Sequence, residues 1–135
     1  MDKQKLQKIT FEQLIQRSIQ REQDKMKVKE IEVPSMGGTL LFQKMPENKL
    51  MDIMDELQND NSLSANIAVE RKVIYHCCPM LQDTKLHSEL GIIEPYDVVE
   101  KLFNIQETDS IAKEVMELNG FSDIAEKKVY EIKNS

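Results

Sequence analysis

Phe11, Leu14, Ile15 and Ile19 recur at helical spacing and share one apolar stripe. Thr10, with Gln13 three positions later, supplies a capping-box signature. Together they predict a first helix within residues 3–25. The Lys/Gln-rich stretch before Thr10, with Leu6 and Ile9 alone, reads as loose. After Asp24 the period shortens. Lys27 to Val33 alternate, imperfectly, between charged and β-branched residues and read as a strand. Pro34-Ser35-Met36-Gly37-Gly38 then marks a turn, and Thr39 to Lys44 reads as the returning strand of a hairpin, the glycines supplying positive φ.

The remaining pattern is helical. Pro46 suits the first turn of a second helix, whose Leu50, Ile53, Met54 and Leu57 keep an i, i+3, i+4, i+7 face before Asn59-Asp60-Asn61-Ser62 ends it. A third helix is expected from Ser64 to Cys78, stopped by Pro79, with Ile67, Val73, Ile74 and Cys78 as core candidates. Four shorter helices complete the chain. One spans Leu81 to Leu90, ahead of Gly91. The next is opened by Pro95 and buries Val98, Val99, Leu102 and Phe103. Another is capped by Asp109 or Ser110, carries Ile111, Val115 and Leu118, and closes at Asn119-Gly120. The last is capped by Ser122 and carries Ile124, Ala125, Val129 and Ile132. No internal repeat is visible. The fold class expected is mostly α with a small β-hairpin (α+β), a single compact domain of short helices. Its organisation is a basic, partly helical N-terminal arm over residues 1–27 and a hairpin plus helical bundle over 28–135.

Composition fits that picture. The chain has 135 residues, 40% apolar and 31% charged, enough for one core that folds without staples. Aromatics are scarce at 5%, with no Trp, while Met reaches 8, which leans towards helices. Charge is unevenly spread. Residues 1–29 hold eight Lys/Arg and four Asp/Glu, so this arm carries +4 and the rest of a chain of net −6 carries −10. An acidic body argues against a protein whose main task is gripping phosphate backbones. Cys77 and Cys78 are adjacent, with Cα atoms ~3.8 Å apart, too close for a conventional disulfide. No apolar run follows the start to suggest a signal peptide, and no stretch approaches the ~20 apolar residues of a membrane span, so a cytoplasmic protein is expected.

Candidate chemistry is sparse. His76, Cys77, Cys78 and His87 are potential zinc ligands, but three are consecutive on an expected helix and point ~100° apart. The favoured reading makes Cys78 a small core hydrophobe and leaves His76 on the surface. Gly37-Gly38 lacks the frame of a phosphate loop, and the carboxylates Asp52, Asp55 and Glu56 lie opposite an apolar stripe. We therefore expect no enzyme: no catalytic residue, no cofactor and no metal. Methionines are more suggestive. Met36 falls at the turn tip and Met51 one position off its stripe, where flexible thioethers suit a surface that accepts varied apolar partners; Met26, Met45 and Met54 are expected in the core. The partner-binding candidates are Met36, Met51, Phe11, Leu14 and Ile15.

The second half carries an ordered set of motifs: Arg71, Tyr75-His76-Cys77-Cys78-Pro79-Met80-Leu81-Gln82-Asp83, then Leu86, Gly91, Pro95, Val98 and Leu102-Phe103. An Ile111-to-Leu118 helix follows, ending Asn119-Gly120-Phe121. Over about residues 28–125 this order resembles the XkdN-like tail assembly chaperones of tailed phages and phage-derived, bacteriocin-like tail particles of Gram-positive bacteria. Phe42 stands among aliphatics where members often place Trp, and the second Cys is unusual. The resemblance implies a non-enzymatic role in virion assembly in the host cytoplasm. Such a chaperone binds the tape-measure protein, keeps it soluble, assists tail-tube assembly and is absent from the mature particle. The partners so implied are the tape-measure protein, tail-tube subunits and further copies of the chain, with no membrane. The alternative reading is a small nucleic-acid-binding regulator using the basic arm. A metal-dependent enzyme built on the His-Cys-Cys cluster ranks third.

Overall fold

The structure is a computed structural model, and it describes residues 6–121. Helix α1 spans Phe11–Asp24. It starts at Phe11, later than the loose limit of the sequence pattern, because Thr10 is extended and closes the capping box. The Thr10 hydroxyl accepts from the Gln13 N–H, and the Gln13 side chain accepts from the Thr10 N–H at 2.8 Å. A tight turn then leads into strand β1, Val28–Val33, which pairs antiparallel with β2, Gly38–Gln43. The register runs from Val28 opposite Gln43 to Val33 opposite Gly38. A short 3-10 turn, Pro34–Met36, joins the strands. Only Gly37 takes the left-handed conformation (φ 67°) expected of both turn glycines; Gly38 is already a strand residue. Alternation places Ile31, Val33 and Phe42 on the buried face, and Val28, Glu30, Glu32 and Leu41 on the outer one.

Helix α2, Glu47–Met54, follows Pro46 and buries Leu50 and Ile53 before a 3-10 turn over Asp55–Leu57. Helix α3, Leu63–Cys77, is the central element. The Ser62 hydroxyl accepts from the Ala65 N–H at its start, and Pro79 ends it by forcing Cys78 into an extended conformation. It packs along α6 on one side and against α2 and the later helices on the other. The single helix expected over Leu81 to Leu90 is instead two pieces. A 3-10 turn spans Pro79–Gln82, and helix α4, Thr84–Leu90, starts afresh because the Asp83 carboxylate accepts from the Lys85 N–H at 2.8 Å. Helix α5 spans Asp97–Leu102 and buries Val98 and Val99.

Helix α6, Ile105–Leu118, corrects the expected cap at Asp109 or Ser110, both of which lie inside it. Asn104 caps it, and Glu107 completes a reciprocal box with the Asn104 backbone. Its end matches expectation. Gly120 is left-handed (φ 74°), its N–H donates to Glu117, and the Phe121 N–H reaches back to Met116, a Schellman closure. The expected helix from Ser122, with Ile124, Ala125, Val129 and Ile132, lies outside the described residues.

One core joins these elements. Phe42, Ile31 and Val33 from the hairpin meet Val73, Ile74 and Cys77 of α3, Val98 and Val99 of α5, and Ile111, Ala112 and Val115 of α6. Each fully buried large side chain contributes about 1.5–3 kcal/mol. One polar group sits at the junction. The buried Asn119 side chain accepts from the Met45 N–H at 3.1 Å, and donates to the Val115 carbonyl and towards Cys77 Sγ. It thereby ties the end of β2 to α3 and α6.

Candidate functional site

Among the described residues, helix α1 differs from every other helix of eight or more residues in burying nothing. Its stripe is bare: Phe11 is 74% exposed, Leu14 59%, Ile15 45% and Ile19 47%. The helix is 14 residues long, near the ~12–15 residues below which an isolated helix is marginal in water. Its cap helps, and one cross-element ion pair fixes its C-terminal half, between Arg21 and Glu47 of α2 at 2.7 Å. That pair is exposed at both ends and so adds little to stability. A helix of this kind is stabilised chiefly by whatever covers its apolar face.

The other two partner-binding candidates are also on the surface, Met36 at 59% and Met51 at 52% exposure. The structure does not gather all five candidates into one patch. Phe11, Leu14 and Ile15 share one face of α1, and the Arg21–Glu47 pair brings α2, which carries Met51, to the same end of the hairpin. Met36 ends the turn at the opposite end, a strand length of ~17–20 Å away. The core expectation holds for Met45, which is buried, and for Met54, packed half-buried on the core. Met26 is a correction: it sits in the α1–β1 turn, outside both periodic patterns, and is largely exposed. Sequence reasoning missed Val28 and Leu41 on the outer hairpin face. The signal was there in Val28 sharing its alternation phase with Glu30 and Glu32.

The His-Cys cluster is spoken for locally. Cys77 and Cys78 are both fully buried. Burial pushes the Cys77 thiol up to about 11, against the opposing hydrogen bond from Asn119, and pushes Cys78 up as well. Both are protonated core residues at neutral pH, without the thiolate that nucleophilic attack requires. His76 is half-buried rather than on the surface. Its Nε2 lies 2.7 Å from the Tyr96 hydroxyl, and the rings of Tyr75 and Tyr96 stand edge-on to it. Burial, with Lys49 and Lys72 nearby, holds its pKa below the usual histidine value. His87 Nε2 lies 2.6 Å from the Leu81 carbonyl. Among the described residues no three His, Cys, Asp or Glu side chains stand together as a metal site. Nor is any described helix long and apolar enough to cross a membrane.

A family model described as phage XkdN-like tail assembly chaperone protein matches residues 1–133. The chain belongs to this family. The XkdN-like match runs through α1 as well as the hairpin and bundle, so the exposed helix lies within the stretch shared with other tail assembly chaperones. Membership in the XkdN-like family implies protein partners in tail assembly and a role in assembly. No curated protein and no solved structure matches the chain.

Proposed function

We propose that this chaperone binds the tape-measure protein of its phage or phage-derived particle in the host cytoplasm. It keeps that protein soluble while tail-tube subunits assemble and is not retained in the mature particle. The observation that carries this reading is the uncovered stripe of α1. A 14-residue amphipathic helix with four large apolar residues in water suits capture of an amphipathic client helix. Covering the part of each of those side chains that is still exposed contributes about 1 kcal/mol before the costs of association. The basic arm gives less support to a nucleic-acid partner. Arg21, Lys25 and Lys27 already face Glu47, Glu22 and Asp24, and the remainder of the chain carries the opposite charge.

Co-expression with the tape-measure protein tests the reading. The expected result is a higher soluble yield of that protein and a complex that survives gel filtration. The double substitution Leu14→Asp, Ile15→Asp should abolish both while leaving the melting temperature of the chaperone unchanged, because neither side chain touches the core. A client equally soluble with and without the chaperone would sink the proposal. Mass spectrometry of purified particles should show tube and tape-measure peptides but none from this chain.

A further inference from the structure

The ends of α1 and α6 are fastened to one short stretch of chain, residues 44–47, which runs from β2 into α2. The Lys44 N–H donates to the Lys27 carbonyl just past α1, and the Met45 N–H donates to Asn119 at the close of α6. Glu47 pairs with Arg21 of α1 at 2.7 Å. The backbone closure after Asn119 keeps Phe121 at the same end, its N–H bonded to Met116. The chain beyond Phe121 therefore leaves the body beside the C-terminal half of α1. From there the sequence continues through residues 122–135, and α1 itself is 14 residues long, so the two stretches match in length.

The apolar positions match too, provided the two are read in opposite directions. Ile19, Ile15 and Phe11 step back along α1 at intervals of four, and Ala125, Val129 and Ile132 step forward at intervals of four and three. Leu14 and Ile124 widen the two stripes. An opposed direction is also what the point of exit dictates, since the segment starts where α1 finishes. Charge agrees with it. Helices paired this way bring Lys133 beside Glu12 on one flank and Glu131 within reach of Arg17 on the other. The ion pairs of α1 are made by Arg21, Glu22 and Asp24, which leaves Glu12 and Arg17 without one among the described residues.

We propose that residues 122–135 cover the apolar stripe of α1 in the free chain, as an antiparallel helix with Ala125 on Ile19, Val129 on Ile15 and Ile132 on Phe11. The stripe then has two occupants in turn, the chain's own segment first and an amphipathic client helix after it. The exchange of occupants rests on the client-binding reading; the cover itself does not. A tethered cover keeps the stripe from weak apolar contacts and gives way only to a partner that binds it more tightly.

Amide exchange on the full-length chain, without client, tests the cover. Exchange across Leu14 to Asp24 should be roughly tenfold slower than in the double variant Val129→Asp, Ile132→Asp, because an uncovered helix of this length is marginal in water. The protection should be the same at low and high protein concentration. Under mild oxidation, Ile15→Cys with Val129→Cys should close a disulfide within one chain, while Gln20→Cys with Val129→Cys, on the far side of α1, should not. The native Cys77 and Cys78, buried and protonated, stay out of that reaction. Equal exchange in the two chains, or failure of the facing pair to close, would overturn the proposal. So would protection that grows with concentration alongside disulfides between chains, which would hand the stripe to a second copy. The double variant should also bind a client helix several-fold more tightly than the parent chain. A client that binds neither form would overturn the client-binding reading alone.

Discussion

At the scale of single residues, Asn119 shows how much one polar side chain can organise. Its position before Gly120 reads in the sequence as a helix stop, and it is one. Its side chain also satisfies the buried Met45 N–H, 74 residues away in sequence. No local pattern reveals a partner at that separation. Asn119→Ala leaves that N–H unpaired in the core, and should cost about 1–3 kcal/mol in urea denaturation. Glu70 makes a similar point about charge. Its carboxyl is half-buried on α3 beside Asp109 of α6, and is pushed up to about 8, by burial first and then by Asp109. One of its oxygens faces no donor, which a shared proton with Asp109 resolves. The folded chain keeps this proton above its ordinary value of 4.5, where the unfolded chain loses it. The stabilisation is therefore complete below that value and lost as pH rises through about 8. Asp109 is held low by the Glu70 hydrogen bond and by Lys113, so its own contribution is lost only in acid. The melting temperature should fall between about pH 5 and pH 8 and level off above, and Glu70→Gln, which keeps a donor but no titrating proton, should flatten that fall.

At the scale of elements, several caps and breakers were legible from residues that act on their own turn. Thr10 with Gln13, Ser62, Pro79, Gly91 and Asn119-Gly120 all mark real boundaries. Two boundaries were misread although the sequence held the signal. Asn104-x-x-Glu107 is as good a capping box as Thr10-x-x-Gln13, but Asp109 and Ser110, just before the apolar Ile111, drew the boundary inwards. Asp83-Thr84 likewise opens α4 inside a stretch that looked continuous. Helix α1 depends on its cap more than the others do, since no core contact supports it. Thr10→Ala should cost about 1 kcal/mol of helix stability, seen as fraying of α1 in far-ultraviolet circular dichroism or amide exchange, with the unfolding midpoint of the bundle unmoved. Thr108→Ala, a buried hydroxyl bonded to Asn104, would by contrast act on the folded core.

At the scale of the whole molecule, periodicity foretold a hairpin and short helices around one core, but not which amphipathic faces are covered. The stripes of α2, α6 and α1 look alike in sequence; among the described residues, α1 alone of the three buries none of its own. Coverage depends on chain connectivity. The α1–β1 turn leads the helix away from the core that α3 and α6 fill, so an equally apolar face is left outside it. The candidate surface was thus legible as a set of residues on α1, whereas its nearness to the end of α6 was not, since Asn119 meets Met45 across the fold. The placement of α1 has a consequence for binding in two steps. The helix is about 21 Å long and joined to the body by a three-residue turn. A partner seized on its stripe is therefore confined to a small volume around the acidic body. A second contact there forms at an effective concentration of order millimolar, so two individually feeble attachments can add up to one durable grip.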